Sequence, residues 1–414
     1  MLYDYIIIGA GISGLYSAYN IKKKDPTKKI LILEKNKIIG GRMNVYNFYG
    51  TNVNIGAGVG RKKKDYLLIK LLDELKIKYE ANKKKIYYHE NVSKINFNNI
   101  VKKLRNSYNK DIHNNYIFKK FGIEILGNEE YKKFVTYLGY SDFENTDAYE
   151  TLYFYDLDDD ISGGETLHIK WDELLNALSI KIGMNNIKFN NNIISINKVD
   201  NEYIITNSKK IIYSSKKIII ASTIDTVKKL LRSLTESNAE LIPLKYGVER
   251  YISSKLSIYN DIKGQNFLRV YGKFDENSTN IINSIIKGYT VVNDPIKKII
   301  PINKKNGIYM IVYTDNKSAK YFINNLDDKI FFCKEIEKML NLSNLKLIGL
   351  KSFYWNIGTH YYKPLNNKYK NREEFIIKCQ NPEKNLFVVG ELISRNQGWT
   401  QGALESVNNI INFF

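Results

Sequence analysis

Tyr5-Ile6-Ile7-Ile8-Gly9-Ala10-Gly11-Ile12-Ser13-Gly14 is the stretch whose reading decides the fold. Its first four residues form a short β-branched apolar run, the mark of a strand buried on both faces. The glycines follow at once, and Leu15, Ala18, Tyr19 and Ile21 then recur at helical spacing. Gly9 suits a tight turn, Gly11 a close approach of backbone to a pyrophosphate, and Gly14 tight packing of helix on strand. The N–H groups and positive dipole end of the helix would face the phosphates.

A glycine-rich turn alone is weak evidence, so its surroundings matter. A second apolar strand, Ile30-Leu31-Ile32-Leu33, ends on Glu34. That acid stands where a dinucleotide-binding unit needs a carboxylate for ribose hydroxyls. Gly40-Gly41-Arg42 comes next, pairing backbone that can approach a ligand closely with a guanidinium suited to phosphate. This second element favours FAD over NAD.

At 414 residues the chain can bury a large core and probes as two interwoven domains. Its hydrophobic content of 43% and aromatic content of 13% describe a globular protein. Cys333 and Cys379 make no disulfide framework, so a reducing compartment is the expectation. No signal peptide precedes the first strand, and no apolar run reaches the ~20 residues of a membrane span. A cytoplasmic protein is therefore expected, or a virion component should the Lys-, Asn- and Ile-rich composition reflect a large DNA virus. The net charge of +20 is spread over short lysine clusters such as Lys62-Lys63-Lys64 and Lys83-Lys84-Lys85. These are not interleaved with arginine and aromatics in one stripe, so nucleic acid is not the expected partner.

Further along, Asn54-Ile55-Gly56-Ala57-Gly58-Val59-Gly60-Arg61 reads as backbone laid against a flat ligand. Tyr66 to Leu75 reads as an amphipathic helix, and Ile86 to Tyr149 as a polar region with helical patches. Asp156, Asp158, Asp159 and Asp160 read as a surface loop balancing nearby lysines. Trp171 to Ile182 is an expected helix, followed by a small antiparallel meander, Ile193–Ile196, Tyr203–Ile205 and Ile211–Tyr213. Ile218 to Ser222 then reads as a separate buried parallel strand. Phe267 to Phe274 and Ile308 to Tyr313 are expected strands. Asp328 to Leu340 is an expected helix with Cys333 as a small core residue. Leu386 to Val389 is a strand ending in Gly390-Glu391, after which Asn396-Gln397-Gly398-Trp399-Thr400-Gln401-Gly402-Ala403 opens a helix. That junction is a second anion or carbonyl cradle, over 300 residues after the first.

Taken together, Gly9 to Gly14, Glu34, Gly40-Gly41-Arg42, Gly390-Glu391 and Gly398 to Ala403 resemble the flavin-containing amine oxidase family. The resemblance implies an α/β fold: a Rossmann-type FAD-binding domain, parallel sheet with antiparallel meander, interwoven with an α+β substrate domain. The expected division is 1–60, 165–245 and 380–414 for the first, and 61–164 and 246–379 for the second. Gly163-Gly164 and the strands around Ile194 look like the family's second FAD-domain segment.

The resemblance further implies that Gly9, Gly11, Ile12, Ser13, Gly14 and Arg42 hold the pyrophosphate, with Gly41 beside them. Glu34 and Lys35 would serve the adenosine ribose end, and Ile194 the adenine. Gly56, Ala57, Gly58 and Val59 would lie against the flavin, Gly390 and Glu391 near the ribityl–phosphate segment. Ala403 would offer its N–H to the flavin's pyrimidine end. Trp399 stands for one aromatic wall of a substrate cage, and His360 or Tyr361 for the opposite wall. Thr359 replaces the cysteine that some members bond to flavin, so FAD should be non-covalent. The family's active-site lysine is not clearly matched, and Arg269 is the nearest candidate. The implied chemistry is hydride removal from an amine-bearing carbon, with O2 as acceptor giving H2O2. Two other readings stay open: an oxidase or desaturase of an isoprenoid- or porphyrin-like substrate, and an FAD-binding protein without catalysis.

Overall fold

Alternation inside the first strand sets the layering. The computed structural model describes residues 1–155, 157, 164–239 and 256–414. In the strand Leu2–Ile8, Tyr5 and Ile7 belong to one apolar core while Ile6 and Ile8 belong to the other. The strand Ile30–Leu33 divides the same way, Ile30 and Ile32 to one face, Leu31 and Leu33 to the other. A period of two puts successive side chains on opposite faces, so an unbroken apolar run needs cover on both. Each fully buried Ile or Leu contributes about 1.5–3 kcal/mol.

The helices Ile12–Lys24, Tyr66–Glu74, Trp171–Ile182 and Thr400–Asn408 cover one face. The helices Ile224–Ala239 and Arg372–Gln380 cover the other. The parallel strands Leu2–Ile8, Ile30–Leu33 and Ile187–Lys188 form one side of this seven-stranded sheet. The meander Ile193–Val199, Glu202–Asn207 and Ile212–Ile220 completes it with Leu386–Val388. One expectation is corrected here: Ile211–Tyr213 and Ile218–Ser222 are not two strands. Ile212–Ile220 is a single strand. Its first half pairs antiparallel with Glu202–Asn207 and its second half pairs parallel with Leu386–Val388. The polar run Ser214-Ser215-Lys216-Lys217 hid that continuity.

A second sheet, largely antiparallel, runs in the order Leu347–Tyr362, Ile262–Phe274, Ile308–Asp315, Lys298–Asn303, Tyr289–Val291 and Ile86–Tyr88. Helices between residues 97 and 153 gather around a separate core of Phe118, Phe121, Phe134 and Phe143. A small three-stranded sheet runs in the order Gly60–Arg61, Glu165–Ile169, Tyr79–Lys83. Cys333 and Cys379 are free and buried. Gly163 and the acids Asp156, Asp158, Asp159 and Asp160 lie outside the described residues. Among the described residues no helix is long and apolar enough to cross a membrane.

Candidate cofactor and substrate site

The three glycines of the first turn have different reasons to be glycine. A Cβ on Gly9, whose φ is +109°, would stand 2.3 Å from the Ala221 carbonyl oxygen. One on Gly14 would stand 2.0 Å from the Gly9 carbonyl oxygen. Both are closed by the protein itself. A Cβ on Gly11 would meet nothing within 4 Å, so this position opens onto the cleft. No side chain caps the helix Ile12–Lys24, which leaves its first-turn N–H groups for an anion. Glu34 is buried beside them; its carboxylate accepts from the Ala10 N–H at 2.8 Å and the Asn36 N–H at 2.9 Å.

The far end of the chain closes on the same place. The Arg42 guanidinium donates to Glu391 at 2.7 Å and to the Gly358 carbonyl at 2.9 Å. Glu391 also takes the Gly398 N–H at 2.8 Å and the His360 Nδ1 at 2.5 Å. Burial would raise the Glu391 carboxyl. The His360 ring and Arg42 guanidinium against it outweigh burial and hold it well below the usual carboxylate range.

This geometry corrects the reading of His360. Its Nε2 accepts from the Ile224 N–H at 3.2 Å, so Nδ1 carries the proton given to Glu391. Both ring nitrogens are engaged and the side chain is fully buried, so it is not a cage wall. Tyr361, the alternative, lines the cleft and is half-buried.

The glycine loop after Asn54 is pinned from several sides. The Ala57 N–H donates to the Arg42 carbonyl at 3.0 Å, and Trp355 donates to the Ile55 carbonyl at 2.9 Å. The Gly58 carbonyl receives Asn54 Nδ2 at 2.8 Å and Trp171 Nε1 at 3.3 Å. Arg269 is buried beside this loop: a Cβ on Gly58 would come within 3.1 Å of its Nη2. It donates to the Asn54 carbonyl at 3.3 Å and stacks 4.6 Å from the Tyr313 ring centroid. Trp399 is fixed by its indole N–H, 2.7 Å from Asp65 Oδ2, with the Arg61 guanidinium 4.6 Å over its ring.

Glu34, Arg42, Gly56, Ala57, Gly58, Val59, Arg269, Tyr361, Glu391 and Trp399 line one cleft of about 1430 Å³. The cofactor-side residues Gly9, Gly11, Ile12, Ser13, Lys35, Gly41 and Gly390 line it too. Two expected residues are placed differently. Ile194 sits at a register shift between Ile193 and Ser195, and the wall is made by Asn191, Asn192 and Ile193 instead. Ala403 lines the cleft, but it is the fourth residue of the helix Thr400–Asn408. Its N–H already donates to the Trp399 carbonyl at 3.3 Å, so the N–H groups that open the helix precede it.

Several participants gave no sequence signal. Gln265, which lines the cleft, donates to Thr359 at 2.9 Å while its buried Oε1 has no partner among the described residues. Asp65 lies in an ordinary lysine-rich stretch, yet it orients Trp399 and pairs with Arg61 at 3.0 Å.

Residues 7–75 match the NAD(P)-binding Rossmann-like domain. An uncharacterized protein of Acanthamoeba polyphaga mimivirus is 21% identical over 493 aligned positions, covering 99% of this chain and 93% of that protein. The FAD-containing monooxygenase EthA of Mycolicibacterium smegmatis is 40% identical over 48 residues, 12% of this chain and 10% of its own. Wild-type putrescine oxidase bound to putrescine superposes with a TM-score of 0.76 at 11% identity, covering 100% of this chain and 99% of that one. Cyclohexylamine oxidase from Brevibacterium oxydans gives 0.73 at 12% identity, with 99% of each chain covered. The fold is that of putrescine oxidase and cyclohexylamine oxidase.

Proposed function

We propose that this protein is an FAD-dependent amine oxidase. The observation that carries the reading is convergence: an open glycine turn, a buried ribose-type acid, a pinned glycine loop and an aromatic wall share one cleft. The residues present fit the dinucleotide. Gly11 leaves a cradle that a Cβ would fill, the helix behind it is uncapped, and the Gln265 Oε1 is unpartnered. The cleft exceeds the ~300–1,000 Å³ of ordinary ligand pockets, leaving room for cofactor and substrate together.

In this reading the first helix and Arg42 hold the pyrophosphate, Glu34 the ribose, and Gly56 to Val59 the flavin plane. When bound, FAD supplies the hydride acceptor. The chain's own part is orientation and exclusion of water. Trp399 and Tyr361 form the walls that align the amine-bearing carbon. Arg269, buried beside the glycine loop, is the candidate for the role of the family's active-site lysine, and its guanidinium stays charged. Thr359, opposite Gly398, offers no thiol, which supports non-covalent binding. Dioxygen as acceptor, peroxide as product and an intracellular, reducing setting complete the proposal. The division of the chain at 1–60, 165–245 and 380–414 against 61–164 and 246–379 belongs to it as well.

The test is an anaerobic screen of amines, polyamines and amino acids against the FAD-loaded protein, read by loss of visible flavin absorbance. Bleaching by at least one amine class, followed by peroxide on admitting air, is expected. A flavin that no amine reduces would sink the reading.

A further inference from the structure

The guanidinium of Arg269 lines the cleft and is buried, with no carboxylate facing it among the described residues. It projects from the strand Ile262–Phe274, whose Leu268 and Val270 belong to an apolar core. It donates to the Asn54 carbonyl at 3.3 Å, lies 4.6 Å from the Tyr313 ring centroid and closes on the Gly58 position. The ionisable groups that bear on it are the phenols of Tyr313 and Tyr271, not carboxylates. Arginine does not shed its proton inside a protein, so the charge persists.

The acids lining the same cleft are engaged elsewhere. Glu34 accepts from backbone N–H groups, and Glu391 faces Arg42 and His360. Asp142 accepts from the Tyr155 hydroxyl, Glu150 faces Arg372, and Glu165 faces Lys62. Arg42, Arg61, Arg372 and Arg395 each pair with a carboxylate; Arg269 pairs with none among the described residues. Holding a charge out of water is expensive unless an opposite charge replaces the water. A site can keep such a group when the opposite charge arrives with its ligand.

We infer that Arg269 is the counter-charge for the electrons that enter this cleft. The inference rests on the amine oxidase reading and says what Arg269 does in it. Hydride removal from the amine-bearing carbon turns a neutral amine into an iminium cation. The hydride brings two electrons, one proton and one net negative charge to a neutral flavin ring. That charge appears beside the Gly58 loop, where the guanidinium already stands fixed by Asn54 and Tyr313. Arg269 therefore holds the reduced ring more tightly than the oxidised one, which favours electron uptake. Burial pushes a lysine towards losing its proton, whereas an arginine keeps its charge at the same place.

The test measures the two-electron midpoint potential of FAD-loaded wild type and Arg269→Met at pH 7, by anaerobic dithionite titration against a reference dye. Melting curves of the FAD-free proteins are recorded beside it. Arg269→Met should lose about tenfold or more in affinity for reduced over oxidised flavin, a fall of about 30 mV. Its FAD-free form should melt no lower than wild type, because an apolar side chain replaces an uncompensated charge. Tyr271 still donates to the Asn54 carbonyl at 2.6 Å in that variant's place. Arg269→Lys, which keeps a cation, should recover most of the potential. If Arg269→Met does not fold, Arg269→Gln makes the same comparison. An unchanged potential in the neutral variants overturns the inference. So do neutral variants that both melt far below wild type, since that result gives Arg269 an acid of the chain as its partner. A potential that shifts as expected in a flavoprotein that no amine reduces would retain the role of Arg269 and remove the oxidase reading. A protein that binds no FAD removes both.

Discussion

Arg42 and Glu391 are 349 residues apart and meet at 2.7 Å, in a contact that ties the start of the chain to its end. The Gly398 N–H and His360 also meet the Glu391 carboxylate, and the Gly358 carbonyl accepts from Arg42, so three segments, around Arg42, 358–360 and 391–398, come together at one buried carboxylate.

Replacing Glu391 by Gln keeps the shape and removes the charge that Arg42 faces. Breaking such a buried pair costs about 3 kcal/mol, so the thermal midpoint should fall clearly. The sign with pH follows from the depressed carboxyl. Its stabilisation is present above the ordinary carboxylate value and is lost only as pH falls through the lower, folded value. The gap between wild type and Glu391→Gln should therefore persist at neutral pH and narrow only in strong acid. A gap that closes already in mild acid would contradict the assignment.

Gly11 and Gly14 should respond in opposite ways. A Cβ at Gly14 would collide with the Gly9 carbonyl at 2.0 Å, so Gly14→Ala should unfold or strongly destabilise the chain. Gly11→Ala meets no protein atom within 4 Å and should fold with an unchanged melting temperature. It should still lose FAD on gel filtration, because the methyl group occupies the cradle. Equal flavin retention by Gly11→Ala and wild type would refute the placement of the pyrophosphate.

Asp142 titrates the other way from Glu391. Burial and then the nearby Asp315 push its carboxyl up to about 7, against the Tyr155 hydroxyl and Lys297. The folded chain thus holds a proton there that the unfolded chain, at about 3.9, releases earlier. Stability should fall as pH rises between those values. Asp142→Asn removes that loss, so relative to wild type it should be more stable above pH 7 than near pH 5. Melting curves at both pH values check this; a constant difference would contradict it.

Trp399 separates binding from orientation. Trp399→Ala should keep FAD but slow anaerobic reduction by the best amine, by tenfold or more. Trp399→Phe keeps a ring and loses the bond to Asp65 at 2.7 Å, worth about 1 kcal/mol, so its loss should be smaller. Stopped-flow reduction rates measure both. Equal rates in all three proteins would remove Trp399 from the wall.

The sequence made the first forty residues legible because each signal there is local. Ile30–Leu33 and Trp171–Ile182 fall where the apolar spacing puts them. The strand Leu347–Tyr362 carries no strand pattern in the sequence, since the consecutive Phe353, Tyr354 and Trp355 put aromatic residues on both of its faces and break the alternation. Ile194 was displaced by a β-bulge, which inserts a residue without any compositional mark. His360 read as a cage residue because its partners, Glu391 and the Ile224 N–H, are distant in sequence. Contacts made only by tertiary folding, such as Asp65 to Trp399, leave no periodic trace.

The most direct measurement is the visible spectrum of the purified protein after incubation with FAD and desalting, followed by acid precipitation. The account predicts a flavin spectrum at close to one FAD per chain, with all the flavin released into the acid supernatant. A protein that stays colourless after incubation would contradict the shared-cleft claim at its root.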